Sequence, residues 1–194
     1  MEAIYTPQTT SFQQVLLALA KNRRYTTIAT PKPLAIVAAK HERHVQATVI
    51  CAKQHGLEIR IRSDGHDYEG LSYVSDVPFV ILDMLNLRSI DVNVTEGRVW
   101  VQSGATVGEL YYEVGKKSRV HGVAAGSFRV LVLVVTWGGC GNGPLLRKYG
   151  LTGDNVEDGR LVNNVNGEIL DCNSVGEDLF WAIRLSPTEG GPAL

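Results

Sequence analysis

The sequence predicts an α+β fold (mixed α/β), and three observations carry that reading. Helix-period and strand-like apolar segments first succeed one another as α-β-α-β, between Ser11 and Ile61. Two hairpin signals follow, Glu96-Gly97 and Asn166-Gly167, each flanked by strand-like runs. Helical stretches are mixed among those hairpins, so the regular alternation of a doubly wound sheet is missing.

Ser11 with Gln14 three residues later reads as a capping box opening a helix through about Arg24. Thr30-Pro31-Lys32-Pro33 breaks it, since proline lacks an amide donor and disfavours helix before it. Leu34–Val37 is then a short buried strand. The next helix spans Glu42–His55, with Val45, Thr48, Val49 and Ala52 on one face and Gly56 at the C-cap. Strand Leu57–Ile61 leads into a dense loop, Arg62-Ser63-Asp64-Gly65-His66-Asp67-Tyr68-Glu69-Gly70. Pro78–Leu82 is a strand, and Ile90–Val94 pairs with Val99–Gln102 around Glu96-Gly97. Thr106 caps a helix through about Lys117. Val130–Val135 is an apolar strand candidate, and Gly138–Gly143 is a glycine-rich loop. Arg160–Val165 and Glu168–Asp171 turn on Asn166-Gly167, a type I′ signal. Gly176–Arg184 is a last short helix, and residues 185–194 lose all pattern and read as a disordered tail.

The 194 residues can bury a proper core, as one large domain or two small ones. Nineteen basic against twenty acidic residues leave a net charge of −1, which gives no electrostatic case for nucleic acid. No apolar run approaches the roughly 20 residues of a membrane span. Met1–Pro7 lacks a basic start followed by an apolar stretch and does not read as a signal peptide. Cys51, Cys140 and Cys172 are scattered without C-x-x-C spacing, which argues against a disulfide framework or zinc site. Asn93-Val94-Thr95 is a glycosylation sequon that matters only if the protein is secreted.

The loop Arg62–Gly70 carries the most chemistry. Its glycines let backbone N–H groups approach an anion, Arg62 offers charge-assisted hydrogen bonds, and His66 is placed for proton transfer, metal ligation or covalent attachment. His41 and His44 at a helix start read as a solvated helix end, with no acidic or cysteine ligand at a usual spacing. Gly138–Gly143 fails the dinucleotide fingerprint, because Pro144 stands where its third glycine belongs. Cys140 between glycines reads as structural, since no cationic setting for a reactive thiol is legible. No G-x-S-x-G motif is present, so an α/β-hydrolase reading has no nucleophile.

Several stretches together resemble the plant berberine-bridge-enzyme-like oxidases of the vanillyl-alcohol-oxidase superfamily. They are Tyr5-Thr6-Pro7-Gln8, Thr30-Pro31-Lys32-Pro33-Leu34, Arg62–Gly70 and Val77–Asp83. Gly104-Ala105-Thr106 with Gly108-Glu109, Arg147–Leu151 and Gly176–Arg184 complete the match. The resemblance implies a two-subdomain PCMH-type FAD-binding fold, incomplete here. Its parts would be an N-terminal helical segment at 1–29, subdomains at about 30–85 and 86–184, and the tail.

It further implies that Arg62, Ser63, Asp64, Gly65, His66 and Asp67 wrap the FAD pyrophosphate, with His66 bonded to the flavin 8α-methyl. Gly104, Ala105, Thr106, Gly150, Asp154 and Asn155 would line the cofactor. The implied reaction is oxidation of an alcohol, sugar or alkaloid by hydride transfer to FAD, with O₂ as acceptor, in a monomer. No catalytic base is identifiable, because the family's substrate domain and base would lie beyond residue 194. The partner cysteine implied for Cys51 would precede residue 1. The family setting is secreted or vacuolar, and the residues leave localisation open.

Three departures favour an alternative, a catalytically inactive truncated or decayed product with weak or no FAD binding. A gapless alignment places Phe128 where the family's second, cysteine anchor stands, and Val132, Val134, Val135 and Thr136 replace glycines and a histidine. Asp64 replaces a loop glycine, adding a negative charge near a pyrophosphate and an expected φ strain. After Arg184 the chain leaves the family pattern.

Overall fold

The computed structural model describes residues 3–129 and 141–185. It is a mixed α/β structure whose chain divides into two compact units. One holds residues up to Asn86 with Val162–Ile169, and the other holds Leu87–Leu161 with the chain from Leu170.

The first unit is built on a four-stranded sheet in the order β1-β2-β4-β3: β1 is Ile4–Tyr5, β2 Ala35–Ala38, β3 Glu58–Arg62 and β4 Phe79–Asp83. β2 and β3 both run parallel to β4, and β1 joins β2 antiparallel at the edge. Every residue of β4 is buried, as expected of an interior strand covered on both faces. One face packs Ile36, Ala38, Phe79 and Ile81 against Phe12 and Leu16 of α1 (Phe12–Ala18) and against Tyr5, Ala20 and Tyr73. The N-terminal helical segment is therefore part of this core. Helix α2 (Glu42–Gln54) packs on β3 and β4, burying the four residues its sequence pattern nominates, Val45, Thr48, Val49 and Ala52. Gly56 follows at φ +63, the left-handed turn that ends the helix.

Strands at Leu34, Leu57 and Pro78 were expected one residue early, and each begins one residue later. The helix expected to reach Arg24 ends at Ala18, with a separate 3₁₀ turn at Arg23–Tyr25. Ser11 has helical backbone angles and makes no capping bond from its side chain, so the expected capping box is not formed.

In the second unit, β5 (Ile90–Asn93) and β6 (Arg98–Val101) pair antiparallel, Ile90 opposite Val101, and Gly97 turns the chain at φ +66. Helix α3 (Val107–Lys117) contributes Val107, Leu110 and Val114 to a core with Val92 and Ala125. Thr106 and Glu109 form a reciprocal capping box at its start. Helix α4 is Leu146–Tyr149, and a 3₁₀ turn follows at Gly153–Asn155.

β7 (Leu161–Val162) and β8 (Ile169–Leu170) form the second hairpin. Gly167 has φ +72, but among the described residues no other residue type has positive φ, so Asn166 does not complete a type I′ turn. Instead Gly167 N–H bonds to Asn163 O, and Asn163 N–H to Glu168 O, closing a wider loop. Gln46 Nε2 and Lys53 Nζ donate to Gly167 O at 2.8 Å and Val165 O at 2.7 Å, fastening that loop to α2. Helices α5 (Cys172–Val175) and α6 (Glu177–Leu185) end the described chain. Asp171 caps α5 in a box with Ser174, an Asp-x-x-Ser signal that sequence reasoning passed over. The strand candidate Val130–Val135, residues 138–140 of the glycine-rich loop with Cys140 among them, and the tail beyond Leu185 lie outside the described residues.

Candidate functional site

Strand β3 delivers the chain into the loop at its C-terminal end, the side of a parallel sheet where ligands are held. Arg62, its last residue, is fully buried. Its guanidinium grips Asp83 Oδ2 from Nη2 at 2.6 Å and Nε at 3.1 Å. Nη1 donates to Leu16 O at 2.9 Å and Nη2 to Val15 O at 3.1 Å, at the end of α1. The anion-binding role expected of the Arg62 side chain is thus corrected. A buried guanidinium needs acceptors inside the protein, and Asp83, Val15 and Leu16 supply them, fixing the base of the loop.

The loop's backbone is left open. Among the described residues, no acceptor takes the backbone N–H groups of Ser63, Asp64, Gly65, His66 or Asp67. Gly65 makes this shape at φ +67, and a Cβ there would run into the Leu19 carbonyl. Gly70 turns at φ +72, where a Cβ would come within 2.6 Å of the Tyr25 ring. Asp67 Oδ1 accepts from Leu71 N–H at 2.8 Å, so that carboxylate holds its own turn. The His66 ring is 44% exposed, with Nε2 3.4 Å from Asp64 Oδ2. That oxygen is buried and makes no hydrogen bond, so the contact is an ion-pair approach without hydrogen-bond geometry. Asp64 has an ordinary negative φ, and the strain expected from replacing a glycine is absent.

The candidates of the second unit have their polar groups engaged locally. Gly104 N–H bonds to Leu87 O, Ala105 N–H to Gln102 O, and Thr106 N–H to Glu109 Oε2 at 2.8 Å. Gly104 and Ala105 are buried. Gly150 has φ +78, and a Cβ there would lie 2.5 Å from Asp154 Oδ2. Asp154 Oδ2 accepts from Leu151 N–H at 2.8 Å, and Asn155 Nδ2 donates to Tyr149 O and Leu151 O, each at 2.8 Å. These residues shape a tight turn with their side chains, and Asp154 and Asn155 stay exposed. Phe128 is 74% exposed.

Elsewhere, His44 Nδ1 accepts from Lys40 N–H at 3.2 Å, giving that histidine a helix-start role. The Asp158 carboxylate beside Cys172 pushes the thiol pKa up, which disfavours a reactive thiolate. Asn93 is exposed at the end of β5, and its Oδ1 accepts from Glu96 N–H at 3.1 Å.

Residues 33–173 match the family model described as FAD binding domain, and the chain belongs to this family, in its berberine-bridge-enzyme-like branch. It is 51% identical over 181 residues to tetrahydroberberine oxidase of Berberis wilsoniae, a match covering 93% of this chain and 34% of that protein. It is 53% identical over 186 residues to berberine bridge enzyme-like 5 of Arabidopsis thaliana, covering 94% of this chain and 35% of the relative. Among solved structures, the berberine-bridge-enzyme-like protein 28 of Arabidopsis thaliana superposes with a TM-score of 0.88 at 44% identity, over 94% of this chain and 37% of that one. The grass pollen allergen Phl p 4, described as having glucose dehydrogenase activity, superposes at 0.87 with 38% identity over the same shares. The chain thus spans about a third of the length of these relatives. The family's cofactor is FAD, and the open run of N–H donors at residues 63–67 fits the anionic part of such a group.

Proposed function

We propose that this chain is the FAD-binding portion of an oxidoreductase that oxidises an alcohol, sugar or alkaloid, with O₂ as final acceptor. The observation that carries the reading is the loop of five consecutive N–H donors that find no acceptor among the described residues and that include a half-exposed imidazole residue, His66. The backbone of Ser63–Asp67 would hold the FAD pyrophosphate, and His66 would be the covalent anchor. The buried Arg62–Asp83 pair and Gly65 hold that backbone in shape. Bound FAD supplies a hydride acceptor, and covalent attachment raises its potential and prevents its loss. No residue of this chain is assigned as the base that takes the substrate proton.

Asp64 favours the second reading, weak or absent FAD binding, because its carboxylate adds negative charge to an anion-binding loop. The visible spectrum of the purified chain decides between them. Flavin bands present on isolation or after adding FAD are expected. A colourless protein that takes up no FAD would overturn the proposal.

A further inference from the structure

We propose that Asp64 is a positioning residue for the attachment of His66 to the flavin, an inference that rests on the FAD-binding reading above. Three observations converge on the pair. Asp64 Oδ2 lies 3.4 Å from His66 Nε2 and, though buried, has no hydrogen-bond partner that would divert it. The intervening Gly65 is locked by its positive φ and the Leu19 carbonyl, which fixes the spacing of its two neighbours. The other charged groups of the loop are committed elsewhere: Arg62 to Asp83, Asp67 to Leu71 N–H, and Glu69 to the Tyr25 hydroxyl at 3.4 Å. Among the described residues, Asp64 alone stands at ion-pair distance from the imidazole.

With Nε2 turned to Asp64, Nδ1 is the nitrogen left to react. Attachment forms one bond, from Nδ1 to the 8α carbon. It breaks one C–H bond of the methyl group and the imidazole N–H. The two hydrogens with their two electrons pass to O₂ and leave as H₂O₂. While Nδ1 is bonding and Nε2 still carries its proton, the ring is cationic, and a carboxylate facing Nε2 stabilises that charge where it develops. The same carboxylate repels a bound pyrophosphate. Asp64 therefore affects the two stages in opposite senses, weakening reversible binding and speeding attachment.

The test uses the full chain with added FAD and two readouts. Reversible affinity is followed by quenching of flavin fluorescence, and attachment by the rate at which flavin stays with acid-precipitated protein at saturating FAD. Asp64→Asn, nearly isosteric, and Asp64→Gly are expected to bind FAD reversibly at least as tightly as the parent and to attach it about tenfold more slowly. His66→Ala is expected to bind reversibly and yield no acid-stable flavin. A merely structural Asp64 would weaken binding and leave the saturated rate unchanged, and that result overturns the proposal, as does attachment at the parent rate in both variants. A parent chain that takes up no FAD sinks the FAD-binding reading and this inference together. Reversible uptake without acid-stable colour sinks the attachment alone.

Discussion

Arg62 and Asp83 stand opposite one another in the last register of the parallel β3–β4 pair, and their side chains close a buried ion pair, Nη2 to Oδ2 at 2.6 Å. Two backbone carbonyls of α1 take two further guanidinium N–H groups, and Asp83 Oδ1 accepts from Leu85 N–H at 3.0 Å. One contact set thus ties the ends of two strands to a helix. The sequence suggests an anion donor in Arg62, but this residue instead anchors the structure from which the open loop departs.

Breaking that pair from one side leaves a buried charge unpaired, which costs about 3–5 kcal/mol. Arg62→Met and Asp83→Leu are each expected to lower unfolding free energy by that amount in urea titrations. The double variant should lose clearly less than the sum, since no orphaned charge remains. Simple additivity would show that the two side chains do not act as a pair.

Gly65 and Gly97 share nearly the same φ, +67 and +66, and differ in their surroundings. At Gly97 nothing lies within 4 Å of an added Cβ, so Gly97→Ala costs only the left-handed backbone penalty, about 1–2 kcal/mol. At Gly65 the Leu19 carbonyl occupies the space, so Gly65→Ala must also move the loop or α1. Thermal unfolding should rank Gly65→Ala well below Gly97→Ala, and flavin uptake should fall only in Gly65→Ala. Equal effects in both assays would remove the argument that this close approach sets the loop.

The features legible in the sequence are those with local causes. The buried face of α2, the Thr106 cap and the Gly97 turn follow from periodicity and from residues three apart or fewer. Some misreadings are local, since Ser11 makes no capping bond and Asn166 keeps a negative φ, and others involve distant partners. The carbonyls of Val15 and Leu16 are taken by Arg62, 46 or more positions away, and α1 stops at Ala18 against a chain its own sequence does not announce. The bonding to β4 reaches past the strand start: Leu34 N–H bonds to Phe79 O one residue before β2 begins. At the site, a glycine, a histidine and an arginine in one loop were readable as chemistry. Which polar groups stay free was not, because each depends on tertiary acceptors for the others.

Glu109 gives a pH-dependent contribution whose sign follows from its surroundings. Partial burial acts to raise its pKa. The Thr106 N–H, the Arg88 guanidinium at 2.5 Å and the Thr106 hydroxyl together outweigh that and hold it below the ordinary 4.5. A lowered folded pKa means stability that is present above the unfolded pKa and lost as pH falls through the folded one. Glu109→Gln should therefore flatten the decline of stability on acidification below about pH 4.5, with little change in slope above it. Parallel acid-unfolding curves for parent and variant would refute the assignment.

Tyr111 offers the opposite titration and a test of the segment leading to Phe128. Its hydroxyl lies 2.8 Å from Ala125 O and 2.9 Å from Gly126 O, and it can donate to either. Tyr111→Phe removes that donor from a buried backbone turn and is expected to cost about 1–3 kcal/mol. Burial raises the Tyr111 phenol above the ordinary 10.0. The hydroxyl therefore contributes fully below pH 10, and its contribution falls as alkaline solution ionises the unfolded chain first. Stability measured from pH 8 to 11 should decline more steeply in the parent than in Tyr111→Phe, so that the two curves converge. If the gap between them stayed constant across that range, the hydroxyl would not be the tether the geometry describes.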